Sequence, residues 1–73
     1  MDSRLRTLLA RVFKVAPDTL TPESGPHTIA AWDSAAHMNL IIELEKEFGV
    51  QFGDDEVAEL VSVEAIMQRL AQP

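Results

Sequence analysis

The stretch that decides the fold is Trp32–Phe52, WDSAAHMNLIIELEKEFGVQF. Asp33 and Ser34 carry short oxygen side chains of the kind that accept hydrogen bonds from the free N–H groups opening a helix. Behind them Met38, Leu40, Ile41, Ile42, Leu44 and Phe48 give an apolar face broader than one stripe. That predicts a central helix, from Asp33-Ser34 to near Phe48, packed by neighbours on two sides. Glu43, Glu45, Lys46 and Glu47 cover its wetter part, and Gly49 offers a stop. Val50-Gln51-Phe52 alternates like a strand, but with no partner it is read as a loop.

Working outward, Leu5, Leu8, Leu9, Val12 and Phe13 repeat at helical spacing, with Asp2 or Ser3 to cap the start. Arg4 and Arg6 oppose the helix dipole there, which predicts fraying. Between Val15 and Trp32 the breakers Pro17, Pro22, Gly25 and Pro26 leave no periodicity. This is a long first loop, with Val15, Leu20 and Ile29 as anchors and Trp32 expected to pack it onto the bundle. Downstream, Gly53-Asp54-Asp55-Glu56 opens a short helix through Leu60, its acids at the favourable dipole end. Ser62 caps a last helix bearing Val63, Ile66, Met67 and Leu70, with Val61 and Ile66 placed as a hydrophobic staple. The expected architecture is all-α, with three longer helices and one short one.

At 73 residues the chain has room for one core, so residues 1–73 are expected to form a single domain. A chain this short buries only about 60% of its unfolded surface and has little depth for a water-excluding active site. No apolar run approaches the ~20 residues that cross a bilayer, and MDSRLRTLLARVF lacks the pattern of a signal peptide. There is no cysteine, so any thiol chemistry must come from an attached group. Charge is uneven. Residues 1–31 hold four cations against three acids, net +1; residues 32–73 hold two cations against nine acids, net −7. The acidic half disfavours nucleic acid and anionic membranes, and steers toward basic protein surfaces or simply keeps the chain soluble.

Metal binding has little support, since His27 and His37 lie apart and Asp54-Asp55-Glu56 lacks calcium-loop spacing. Ser34 and His37 share a helix face and sketch a hydrolase dyad, but an orienting group, an oxyanion hole and a pocket would all have to come from this small chain. Without them His37 is a partly exposed helix residue. Ser34 has a better use: a phosphate ester on its hydroxyl would sit at the positive end of the helix dipole, favoured by about 1 kcal/mol.

The run WDSAAHMNLIIELEKEFGVQF, followed by DDE, a short helix and SVEAIMQRL, resembles an acyl carrier protein over essentially the whole chain. The likeness includes the Asp-Ser opening helix two and the LxxxLExEFxV pattern, here Leu40, Leu44-Glu45, Glu47-Phe48 and Val50. The resemblance implies a right-handed four-helix bundle whose serine, here Ser34, receives covalent 4′-phosphopantetheine from coenzyme A. A phosphopantetheinyl transferase attaches the arm using magnesium, and its thiol then holds cargo as a thioester. The implied partners are that transferase, a loading ligase or acyltransferase, and downstream acyl-using enzymes. The carrier itself would be a cytoplasmic monomer rather than an enzyme.

By the same resemblance, Asp33 helps engage the transferase, and Asp33, Ala35, Met38, Glu45, Asp55 and Glu56 are the expected partner-recognition residues. Several positions depart from the family. Ala35 replaces the usual leucine, Ala36 and Asn39 stand where acids are common, and Lys46 interrupts the acidic run. Recognition is therefore expected to rest less on charge and more on shape, in a stand-alone carrier of specialised lipid or polyketide-type use. His37, one turn from Ser34, is a candidate donor to the phosphodiester. The Gly-Gly-x-Ser pattern of peptide synthetase carriers is absent, which disfavours an aminoacyl or peptidyl carrier without excluding it. The other class of reading is an acidic helical interaction module that keeps the fold without the arm.

Overall fold

A computed structural model describes residues 1–72. Its elements are α1 (Ser3–Phe13), a 3-10 turn at Pro17–Thr19, α2 (Ser34–Phe48), α3 (Asp54–Glu59) and α4 (Val63–Leu70). No strand occurs among the described residues, and Val50–Phe52 is indeed loop. The all-α layout of three longer helices, one short helix and a long first loop is the one expected.

Each helix begins where its sequence supplies a cap. Asp2 accepts from the N–H groups of Arg4 and Leu5 at 2.7 and 3.3 Å. Ser62 accepts from Ala65 N–H at 3.0 Å. Glu56 reaches back to Gly53 N–H at 3.1 Å, the reciprocal half of a capping box, while glycine offers no side chain for the other half. The ends of α1 and α2 are turned by left-handed residues, Lys14 at φ 56° and Gly49 at φ 65°.

Leu5, Leu8, Leu9 and Phe13 of α1 meet Leu40, Ile41 and Leu44 of α2 and Leu60, Val63 and Ile66 from the C-terminal segment, forming one core. The loop contributes Leu20, Ile29 and Trp32, all buried, and Trp32 stacks on Phe13 with ring centroids 4.6 Å apart. Val15 is only partly buried.

The long loop is fastened by its own backbone. Ser24 is buried, and its hydroxyl accepts from Thr21 N–H at 2.9 Å. The carbonyls of Ser24 and Pro22 then accept from the N–H groups of Val63 and Glu64, both at 2.9 Å. Together with Ser62, they satisfy three of the four donors that a helix start leaves open. Gly25 is required for this approach, because a Cβ there would lie 2.8 Å from the carbonyl oxygen of Val61.

Three expectations need correction. Arg4 and Arg6 tie α1 down: Arg4 pairs with Glu47 at 3.0 Å, and Arg6 donates to the Pro17 carbonyl at 2.7 Å. The α1 start is thus cross-linked to α2 and the loop, which offsets the unfavourable dipole. The broad apolar face of α2 is not all core, since Met38 and Ile42 are 52% and 47% exposed. A helix has one side against its bundle, and the positions at i and i+4 here fall outside it. Val61 does not seal a staple over Ile66 either; it stands 48% exposed while Ile66 is fully buried.

Candidate functional site

The candidate site is the start of α2. Asp33 has extended backbone angles and accepts from Ala36 N–H at 2.8 Å, so it is Asp33 that caps the helix. Ser34 is the first helical residue and is exposed. Asp33 thus satisfies the N–H of the third helical residue, in the first turn, and the Ser34 hydroxyl is left on the exposed side. The backbone N–H groups of Ser34 and Ala35 make no backbone hydrogen bond among the described residues. Two unpaired donors beside an exposed hydroxyl suit a phosphate oxygen, and the dipole adds to the attraction.

His37 is one turn further on, partly buried, and both of its ring nitrogens are engaged. The indole N–H of Trp32 is only a donor, so His37 Nδ1 accepts from it at 3.0 Å. The carbonyl of Val57 is only an acceptor, so His37 Nε2–H donates to it at 2.7 Å. These partners assign the neutral Nε2–H tautomer and link the loop, α2 and α3 in one chain. They argue against His37 as a donor to the phosphodiester, and they agree with setting the hydrolase dyad aside. No N–H remains to donate to a phosphodiester, and no lone pair remains to take a proton from Ser34. A Ser34–His37 hydrolase dyad has no base.

Of the other expected recognition residues, Ala35, Met38 and Asp55 are exposed. Glu45 accepts from Phe52 N–H at 3.0 Å, fixing the turn out of α2. Glu56 pairs with Arg69, and that contact together with the Gly53 N–H holds its carboxyl below the usual carboxylate range. Glu43 meets Arg11 at 2.9 Å, and Glu47 meets Arg4. Thus most of the acids of α2 are already answered from within the chain, by arginines of α1 or by backbone. Among acids without an ion pair in the described residues are Asp54, Asp55 and Glu59 of α3.

Beside Ser34 lies a solvent-open groove of about 450 Å³, lined mainly by apolar groups of Pro26, Trp32, His37, Met38 and Val61, with Asp33 and Ser34 at its edge. Pro26 and Val61 had no assigned part in the sequence-based site. Ile42 belongs to the broad apolar face of α2, yet Ser34, Met38 and Ile42 recur at i, i+4 and i+8, a spacing that puts them on one face. That periodicity was the available signal for Ile42. Val61 gave none, because its place depends on the approach of Gly25.

This small helical bundle presents an exposed serine at a helix start, with the nearby histidine engaged by Trp32 and Val57. Comparison with known proteins names the family. The family described as phosphopantetheine attachment site matches residues 3–70. An acyl carrier protein of Thermosynechococcus vestitus is 30% identical over 64 residues, covering 88% of this chain and 79% of that protein. The chain belongs to the acyl carrier protein family. Its cofactor is covalent 4′-phosphopantetheine, and such carriers work with a phosphopantetheinyl transferase and acyl-handling enzymes. The start of α2, with its free amides and exposed hydroxyl, fits such a group.

Proposed function

We propose that residues 1–73 act as a discrete acyl carrier domain in which the hydroxyl of Ser34 bears the phosphopantetheine arm. Once attached, the arm supplies a thiol that holds an acyl-type cargo as a thioester, which activates the acyl carbon, and the tether concentrates it at each partner enzyme. The chain's own residues do simpler work. Ser34 offers an accessible oxygen, Asp33 holds the first turn in place, and the amides of Ser34 and Ala35 would be the donors available to the phosphate. The transferase brings the base and the magnesium that the carrier lacks. The observation that carries this reading is the division of labour at the helix start: Asp33 caps, so Ser34 is exposed and free.

Partner recognition would centre on the exposed face of α2. Ala35, Met38 and Ile42 offer small and apolar contacts, whereas Glu43, Glu45 and Glu47 are engaged internally. This supports recognition by shape more than by charge, and with it a specialised pathway rather than bulk fatty acid synthesis. Among the described residues Asp33, Glu45 and Asp55 are the recognition acids of the expected set outside ion pairs, and Glu45 is taken up by Phe52 N–H; a loading ligase or acyltransferase with a weakly basic surface would suit Asp33 and Asp55. The carrier is proposed to act as a cytoplasmic monomer.

Incubation with coenzyme A and a promiscuous transferase, read by intact mass, tests the reading. One phosphopantetheine should be gained by the native chain and none by Ser34→Ala. No gain with several active transferases would instead favour an unmodified interaction module.

A further inference from the structure

Counted from the Asp33 cap, Trp32 and His37 stand at the N′ and N4 positions of α2. In many helices these two positions hold apolar side chains that touch across the first turn and fix the angle at which the chain enters. Here the contact is aromatic and polar at once. The ring planes are 23° apart with centroids at 6.2 Å, and the indole N–H donates to His37 Nδ1 at 3.0 Å. Trp32 is anchored in its turn, since it stacks on Phe13 at the end of α1 and is 4% exposed. Ser34 lies on the short span between the two rings.

That span has few other restraints. Asp33 accepts from Ala36 N–H, and the Asp33 carbonyl accepts from His37 N–H at 2.8 Å. The third helical residue, Ala36, has no carboxylate to reach back and complete a capping box. The N–H groups of Ser34 and Ala35 make no backbone bond among the described residues, and both residues are exposed. The backbone around the serine hydroxyl is therefore held mainly from its two ends.

We propose that Trp32 and His37 are positioning residues for the modification of Ser34, their hydrogen bond holding the first turn of α2 in one orientation for the transferase. The proposal rests on attachment at Ser34. In that step the Ser34 oxygen bonds to the phosphorus that bears the pantetheine of coenzyme A, its proton passing to the enzyme's base. The bridging P–O bond breaks, and adenosine 3′,5′-bisphosphate leaves. Such a displacement depends on alignment, and a small misplacement of the attacking oxygen slows it severely. The polar atoms of Trp32 and His37 are engaged with each other and with Val57, so their effect passes through the backbone they fix.

The test measures two things in each variant, well below its unfolding midpoint. One is the rate of transfer at saturating carrier, read by intact mass with coenzyme A and an active transferase. The other is the NMR order parameter of the Ser34 and Ala35 amides. Trp32 is the only tryptophan, so one indole N–H resonance reports whether its hydrogen bond is present. Trp32→Phe keeps the aromatic stack and removes the donor. His37→Asn sets an amide oxygen near the place of Nδ1 and gives up Val57, whereas His37→Gln reaches Val57 and gives up the Nδ1 acceptor. The native chain and His37→Asn should show rigid amides, with order parameters of about 0.85. In Trp32→Phe and His37→Gln these should fall while those of Leu40 and Leu44 hold. The saturated rate should drop about fivefold in the same two variants, the effect of one net hydrogen bond. Across the set the rate should follow the indole resonance and not the unfolding midpoint, which both His37 variants lower. Unchanged amide order in Trp32→Phe overturns the positioning role, as does a rate that stays within about threefold of native or follows the midpoint. His37→Gln carries the same test should Trp32→Phe not fold. No mass gain by the native chain, or an equal gain by Ser34→Ala, overturns attachment at Ser34 and the positioning role together. Mass thereby separates the two failures.

Discussion

The indole N–H of Trp32 donates to His37 Nδ1 at 3.0 Å, and the opposite nitrogen of the same ring donates to the Val57 carbonyl at 2.7 Å. Through this one imidazole the loop, α2 and α3 are joined. α3 has six residues and buries none of its own side chains completely, so polar ties carry much of its attachment. Trp32→Phe keeps the stack on Phe13 but removes the donor, leaving Nδ1 without its partner. The expected loss is about 1 kcal/mol in urea denaturation, the size of one net hydrogen bond. His37→Ala should lose more than this and should speed amide exchange in α3 before α1. Equal exchange in both helices would mean that the link is incidental.

Gly25 and Gly49 are both irreplaceable in principle but for different reasons, and alanine at each separates them. At Gly25 the added Cβ would meet the Val61 carbonyl at 2.8 Å, so the loop must shift away from the start of α4. The donors of Val63 and Glu64, which bond to Ser24 and Pro22, would be strained with it. A loss of about 1–3 kcal/mol is expected, in the range of overpacking in a well-fitted site. At Gly49 there is open space, and only the left-handed φ of 65° is penalised, by about 1 kcal/mol. Gly25→Ala should therefore be the more damaging of the two by denaturant midpoint, and it alone should disturb the resonances of α4.

Much of this was legible because local chemistry and tertiary role agreed. Asp2, Asp33 and Ser62 stand directly before apolar-periodic runs, and all three are caps. What stayed hidden depended on contacts far along the chain. His37 looked like a neighbour of Ser34 because the two are three residues apart, yet its ring is drawn away by Val57, twenty residues on. Glu45 and Glu56 looked like surface acids because nothing local shows that Phe52 N–H and Arg69 will meet them. Val61 read as a staple from its place before Ser62, but the approach of Gly25 sets it in the groove wall instead.

The Glu56–Arg69 pair gives the fold an acid-side dependence with a definite sign. The Arg69 guanidinium first, and the Gly53 N–H second, hold the Glu56 carboxyl below its ordinary 4.5. A carboxylate bound more tightly in the folded chain contributes stability above the unfolded value, which is lost as pH falls through the lowered folded one. Glu56→Gln should therefore narrow the fall in midpoint temperature on acidification below about 4.5, while changing the neutral-pH value only modestly, because the pair is only partly buried and water still screens it. An unchanged acid limb in the variant would show that other carboxylates dominate it.

At the start of α2 the Asp33 cap and the proposed attachment at Ser34 sit on adjacent residues, so two substitutions pull them apart. Asp33→Ala removes the acceptor for Ala36 N–H and should cost about 1 kcal/mol of stability, the usual size of a lost cap. Ser34→Ala touches no cap and replaces an exposed hydroxyl with a good helix former, so its denaturation midpoint should match the native chain or exceed it slightly. Gain of phosphopantetheine should show the reverse order, abolished in Ser34→Ala and retained, at a reduced rate, in Asp33→Ala. A third variant, Ala35→Leu, adds about three carbons at an exposed position where the family's contact residue is larger. At about 0.8 kcal/mol per buried methylene, full use of that contact by the transferase would raise the modification rate by at most tens-fold. No rise at all would mean that the smaller Ala35 is matched to partners that read this helix start by a closer approach, and that Met38 and Ile42 provide the apolar contact in its stead.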